Sequence, residues 1–174
     1  MMTDCEICLK RSEKDLMLFE DEKNLVFLSD APAALGHSIV SPKEHRPILE
    51  SIPDFDIGDL FKIANKVSSS LFESLNIQGT NIIIQNGTAA NQDAPHFTMN
   101  VIPRSENDNL GLTWQPRQLD EEEMSTIELK IKEFTKSIGA FEEVKKEPLK
   151  IESKVEKIKE STDNYLLRQI RRIA

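Results

Sequence analysis

The chain's two cysteines, Cys5 and Cys8, stand in one Cys-x-x-Cys near its start. Thiols at this spacing either cycle between dithiol and disulfide or hold a metal ion. A redox pair of the thioredoxin kind follows a strand and opens a helix. This pair precedes any strand, which favours metal, with two unremarkable thiols as the alternative. Zinc wants four donors. With no third cysteine, the other two come most simply from histidine, and the chain has three: His37, His45 and His96. Each could equally be an ordinary core or surface residue. A second polar array is His96, Thr98 and Asn100, which alternate with Phe97, Met99 and Val101. On a strand these would share one face, either solvated or lining a pocket, and alternation alone favours solvation.

The elements that must position these residues read as follows. Apolar runs at 16–20 and 25–29, separated by Asp21-Glu22-Lys23-Asn24, predict a hairpin. Pro32 and Gly36 mark a loop, and 37–41 reads as a strand stopped by Pro42. Leu60, Ile63, Ala64, Val67, Leu71 and Leu75 recur at helical steps, predicting a helix from Pro53-Asp54 to Asn76. A buried strand at 81–85, a polar loop at 86–95 and a strand at 96–102 follow. Asp120-Glu121-Glu122-Glu123 opens a helix over 120–138, with acids where the helix dipole favours them. Its stripe is Met124, Ile127, Ile131, Phe134 and Ile138, and Gly139 is its stop. Beyond Pro148, the apolar positions Ile151, Val155, Ile158, Leu166, Ile170 and Ile173 mark a third helical segment over 149–173. The pattern is α+β, with a domain over 1–140 and an amphipathic helical extension over 141–174.

At 174 residues and 39% hydrophobic, the chain can bury a real core. With 22 basic and 30 acidic residues its net charge is −8, a poor match to nucleic acid or anionic membranes. Residues 145–174 hold nine basic and five acidic residues, so they carry +4 while 1–144 carry −12. A solvated helix on its own body or on a second copy accounts for that asymmetry; an arm for a partner is the sharper reading. No apolar run approaches the roughly 18–20 residues of a membrane span. The acidic start is unlike a secretory signal, so a cytoplasmic protein is expected. Internal repeats, a Gly-rich dinucleotide fingerprint and a P-loop are absent.

Read in order, these blocks form a recognisable set: Cys5-x-x-Cys8, Phe27 to Pro32, Gly36 to His45, Gln85-Asn86-Gly87 and Gln92 to Arg104. Asp108, Gly111 and Trp114 complete it. The chain resembles the histidine triad (HIT) superfamily of nucleotide hydrolases and transferases over about residues 3–138. The resemblance implies an antiparallel sheet of about five strands with packed helices, and a homodimer. The family motif alternates three histidines with apolar residues. Here it reads His96-Phe97-Thr98-Met99-Asn100-Val101-Ile102, so only the first histidine stands.

The resemblance implies a closed, structural Zn²⁺ site made by Cys5, Cys8, His45 and His96. His37 matches the family's Gly-His pair and is read as structural. In the family the middle histidine attacks the α-phosphate and forms a covalent nucleotidyl intermediate. Thr98 holds that position, and a hydroxyl is a weak nucleophile without a base. The covalent mechanism is therefore expected to be absent. The ribose-binding position three residues before the loop proline is Ser29, with Asp30 beside it. Gln85 stands where Asn is common, and Gln92 matches the phosphate-side Gln. Asp93 stands where a small hydroxylic residue is usual, and a carboxylate there disfavours an anion. Thr98 and Asn100 keep hydrogen-bonding capacity.

Three functions follow as expectations. The first is a zinc-stabilised HIT-like protein that binds a nucleotide or related metabolite without covalent catalysis. The second is a dimeric scaffold whose C-terminal helix, within 145–174, docks a protein partner. The third is a residual nucleotide phosphoester hydrolase with an altered mechanism.

Overall fold

Asp21 makes the first turn. Its carboxylate accepts hydrogen bonds from the backbone N–H groups of Lys23 (2.8 Å) and Asn24 (2.6 Å), an Asx-type cap that reverses the chain. The predicted hairpin forms around it, between β1 (Met17–Glu20) and β2 (Asn24–Leu28). The computed structural model describes residues 5–10 and 15–140. The helical segment predicted at 149–173, with the extension beginning at 141, lies outside the described residues. A short helix, α1 (Glu6–Lys10), follows Cys5 and contains Cys8.

The other elements are β3 (Ser38–Pro42), α2 (Asp54–Leu75), β4 (Gly79–Ile84), β5 (Met99–Arg104) and α3 (Glu121–Phe134). The five strands form one antiparallel sheet in the order β1-β2-β3-β5-β4. This is the α+β arrangement expected. α2 packs on β3, β5 and β4. Its Leu60, Ala64 and Leu71 are buried against Val26, Val40, Met99 and Val101, with Ile63 and Val67 packed at the margin. Full burial of Leu60 alone contributes about 1.5–3 kcal/mol. Asn76 in the left-handed conformation closes α2.

The last strand differs from expectation. The sequence pattern starts it at His96, whereas β5 starts at Met99. Three constraints divert residues 96–98. Pro95 lacks an N–H, the Phe97 N–H donates to the Arg46 carbonyl (2.6 Å), and the His96 ring turns toward the cysteines. At the other end, Arg104 ties β5 to the following loop. It donates to both Asp108 carboxylate oxygens (2.6 and 2.9 Å), to Asn81 (2.6 Å) and to the Leu110 carbonyl (2.7 Å). That guanidinium holds the Asp108 carboxyl well below the usual carboxylate range.

Gly36 takes φ +88°, and an added Cβ would lie 2.6 Å from Leu75 Cδ1 and 3.1 Å from Leu71 Cδ2. Gly36→Ala is expected to destabilise by about 1–3 kcal/mol, from the positive φ and from displacement of two leucines. Urea denaturation checks this; a loss of unfolding free energy under a few tenths of a kcal/mol would refute it.

Candidate functional site

Cys5 and Cys8 are one turn apart at α1. His45 follows β3, and His96 precedes β5. The fold brings their donor atoms to within 4.8 Å of one another. Cys5 Sγ lies 3.4 Å from His96 Nδ1, Cys8 Sγ 3.4 Å from His45 Nδ1, and Cys8 Sγ 3.5 Å from His96 Nδ1. A tetrahedral zinc with sulfur at about 2.3 Å and nitrogen at about 2.0 Å has donor–donor edges of roughly 3.6 Å. The donor set and its spacing therefore fit the metal.

The His96 ring supports the same assignment. It is 1% exposed, and its Nε2 lies 2.9 Å from the Pro42 carbonyl, which can only accept. Nε2 therefore carries the proton, and the Nδ1 lone pair faces the thiols. This second contact fixes ring and tautomer as metal-ligating histidines require. Burial, and to a lesser degree the neighbouring His45, push His96 below the ordinary imidazole range, opposed by the Pro42 hydrogen bond. The Pro42 carbonyl had no signature in the sequence, because backbone groups carry none.

The polar array is divided: His96 is buried against the thiols, while Thr98 and Asn100 are half-exposed. Phe97, Met99 and Val101 all join the core under α2, so Thr98 and Asn100 face the opposite side of the sheet. In register across that side run Phe27, Ile39, Asn100 and Ile83. Asn100 Oδ1 lies 3.0 Å from His37 Nε2, and His37 Nδ1 accepts the Ala33 N–H at 3.1 Å. The Ala33 N–H can only donate, so His37 is neutral with its proton on Nε2, given to Asn100. Both ring nitrogens are engaged, and no lone pair is left for general-base work. The Thr98 hydroxyl makes no hydrogen bond among the described residues.

The other predicted ligand-contacting residues have partners of their own or are exposed. Gln85 lies just past β4, half-buried. Ser29 Oγ accepts the Ala31 N–H at 3.3 Å. Asp30 turns outward to pair with Lys10 Nζ at 2.6 Å, and Asp93 is exposed. The Gln92 amide is consumed by its own loop. It accepts from the Gly87 N–H (2.7 Å) and donates to the carbonyls of Pro47 (2.6 Å) and Ala94 (2.8 Å). It braces the loop and has little capacity left for a phosphate. Sequence reasoning also missed an apolar groove of about 700 Å³ on the α2 face, lined by none of these seven residues.

His37 sets a pH dependence. Burial lowers its folded pKa below the ordinary 6.5, despite the opposing Asn100 bond. As pH falls below 6.5 the unfolded chain takes up this proton first, so stability is lost toward acid. His37→Gln lacks that titration. The stability gap between wild type and variant is expected to narrow from pH 7 to pH 5 in denaturant titrations. A gap constant with pH would refute it.

The HIT domain family matches residues 10–107. The chain belongs to the HIT family. An adenylylsulfatase of Arabidopsis thaliana is 30% identical over 112 residues, 63% of this chain and 57% of that protein. The chain thus spans little more than half of that relative. An adenosine 5'-monophosphoramidase of Schizosaccharomyces pombe is 29% identical over 63% of this chain and 80% of that protein. Among solved structures, a zinc-bound histidine triad family protein from Mycobacterium smegmatis superposes with TM-score 0.59 at 28% identity, covering 74% of this chain and 97% of that one.

Proposed function

We propose that this chain is a zinc-stabilised HIT protein that binds a nucleotide or nucleotide-like metabolite without covalent catalysis. The observation that carries it is how the histidines are used. His45 and His96 point at the thiols, and His37 is saturated by Ala33 and Asn100. No imidazole is left to attack a phosphate or to activate Thr98. Cys5, Cys8, His45 and His96 hold the metal, which, with four protein ligands, fastens the fold and opens no coordination position to substrate. Thr98 and Asn100 offer neutral polar groups on the sheet face opposite α2, where the family's order would place Gln85 and Ser29 beside them. Asp30, Asp93 and Gln92 are weaker contributors for the reasons given by their partners and exposure.

The relatives' names make adenine nucleotides the first probes. AMP, ADP and adenosine are added to the zinc-loaded chain in a thermal-shift series. At 100 times Kd a ligand contributes about 2.7 kcal/mol, which raises Tm by roughly 5–10 °C. Asn100→Ala is expected to reduce the shift. No shift with any of the three would remove the ligand from this reading.

The chain is further read as a cytoplasmic homodimer. Among the described residues no helix is long and apolar enough to cross a membrane. An assembly role is favoured by one observation: α3 leaves its apolar stripe uncovered. The basic segment 145–174, outside the described residues, is the place for a protein partner in that reading.

A further inference from the structure

α3 carries Met124, Ile127, Ile131 and Phe134 along one stripe, and Ile138 extends it past the helix end. All five are exposed, Phe134 by 80%. So is every residue from 111 to 134. A 14-residue helix is marginal in water on its own, and most helical stability comes from packing an apolar face. This helix has a complete capping box on Asp120 and Glu123, yet among the described residues its stripe stays exposed.

The same chain has a complementary surface. α2 lies over β3, β5 and β4 and buries Val26 of β2, while Leu18 and Phe19 of β1 stay exposed. The result is the groove of about 700 Å³, walled by Leu18, Leu28, Ile63 and Val67 with Lys62 and Lys66 along it. α3 has five acidic and two basic residues, opposite in sign to those lysines. Residues 110–120 hold no helix or strand. Ten extended residues reach about 33–36 Å, enough to carry α3 beyond its own body.

We propose that α3 of one chain docks in the α2/β1–β2 groove of a second copy, exchanged reciprocally about a two-fold axis. This rests on the dimer reading above and names the surface that makes it. The second copy is the chosen occupant because α3 stands fully exposed while its own groove is open.

The test uses full-length, zinc-loaded protein. A heavy-isotope copy with the photo-crosslinker p-benzoylphenylalanine replacing Ile127 is co-refolded with an unlabelled wild-type copy. Heavy–light cross-links into peptides of residues 62–75 are the expected result. Cross-links confined to a single heavy chain would place α3 on its own body and overturn the exchange. In parallel, Ile127→Asp/Ile131→Asp is expected to weaken the dimer by at least roughly 100-fold in sedimentation, with zinc content unchanged. A dimer unaffected by those substitutions overturns the exchange and leaves the dimer standing. A wild-type chain monomeric at every concentration overturns both.

Discussion

Stripping zinc with excess chelator is expected to lower Tm by roughly 8–16 °C. A metal held at 1,000 times Kd contributes about 4.1 kcal/mol, and each kcal/mol moves Tm by roughly 2–4 °C in a chain of this size. The cluster joins three separate segments: α1, the turn after β3, and the approach to β5. Without metal, the buried Cys5 and His96 lose their strongest partner. Cys5→Ser/Cys8→Ser should reproduce the loss with no chelator and drop metal content from about one zinc per chain to none. A Tm indifferent to both treatments would dissolve the zinc reading.

The second large effect is kinetic. Turnover of an adenylylated substrate is expected to fall about 10⁴–10⁶-fold below that of a HIT enzyme with all three histidines, the range seen when one member of a catalytic triad is removed. In single-turnover experiments no nucleotidyl adduct should accumulate on the chain. The reason lies in named atoms. Among the described residues no base is in hydrogen-bond contact with the Thr98 hydroxyl, and both His37 nitrogens are engaged. An adenylyl adduct mapped by mass spectrometry to any residue between 96 and 100 would refute it.

Periodicity was sufficient for the body of the fold. Apolar segments bounded by turn residues and by Pro42 gave β2 and β3, the three- and four-residue steps gave α2, and the Asp21 turn gave the hairpin, each to within a few residues. The cluster of Cys5, Cys8, His45 and His96 was readable because cysteine and histidine are rare here and chemically specific. Three features were not readable, each for a physical reason. The start of β5 was displaced because His96 answers to the thiols and to Pro42, which no local pattern encodes. The polar face at Thr98 and Asn100 looked solvated because alternation cannot distinguish water from a neighbouring His37. Gln92 looked like a phosphate contact because its type allows it; only the folded loop shows its amide committed to Gly87, Pro47 and Ala94.

The separation of the cluster's members has a consequence for how the molecule forms and comes apart. Cys5 and His96 are 91 positions apart, and Cys8 and His45 are 37. Such distant donors converge only after β3 and β5 have paired, since closing long loops is entropically opposed until other contacts reward it. The fourth ligand therefore closes late, after the rate-limiting barrier. An interaction absent from the transition state slows escape from the native basin and leaves the folding rate nearly unchanged. Zinc held by this cluster would act as a latch: its removal should accelerate unfolding many-fold while refolding proceeds at almost the same speed.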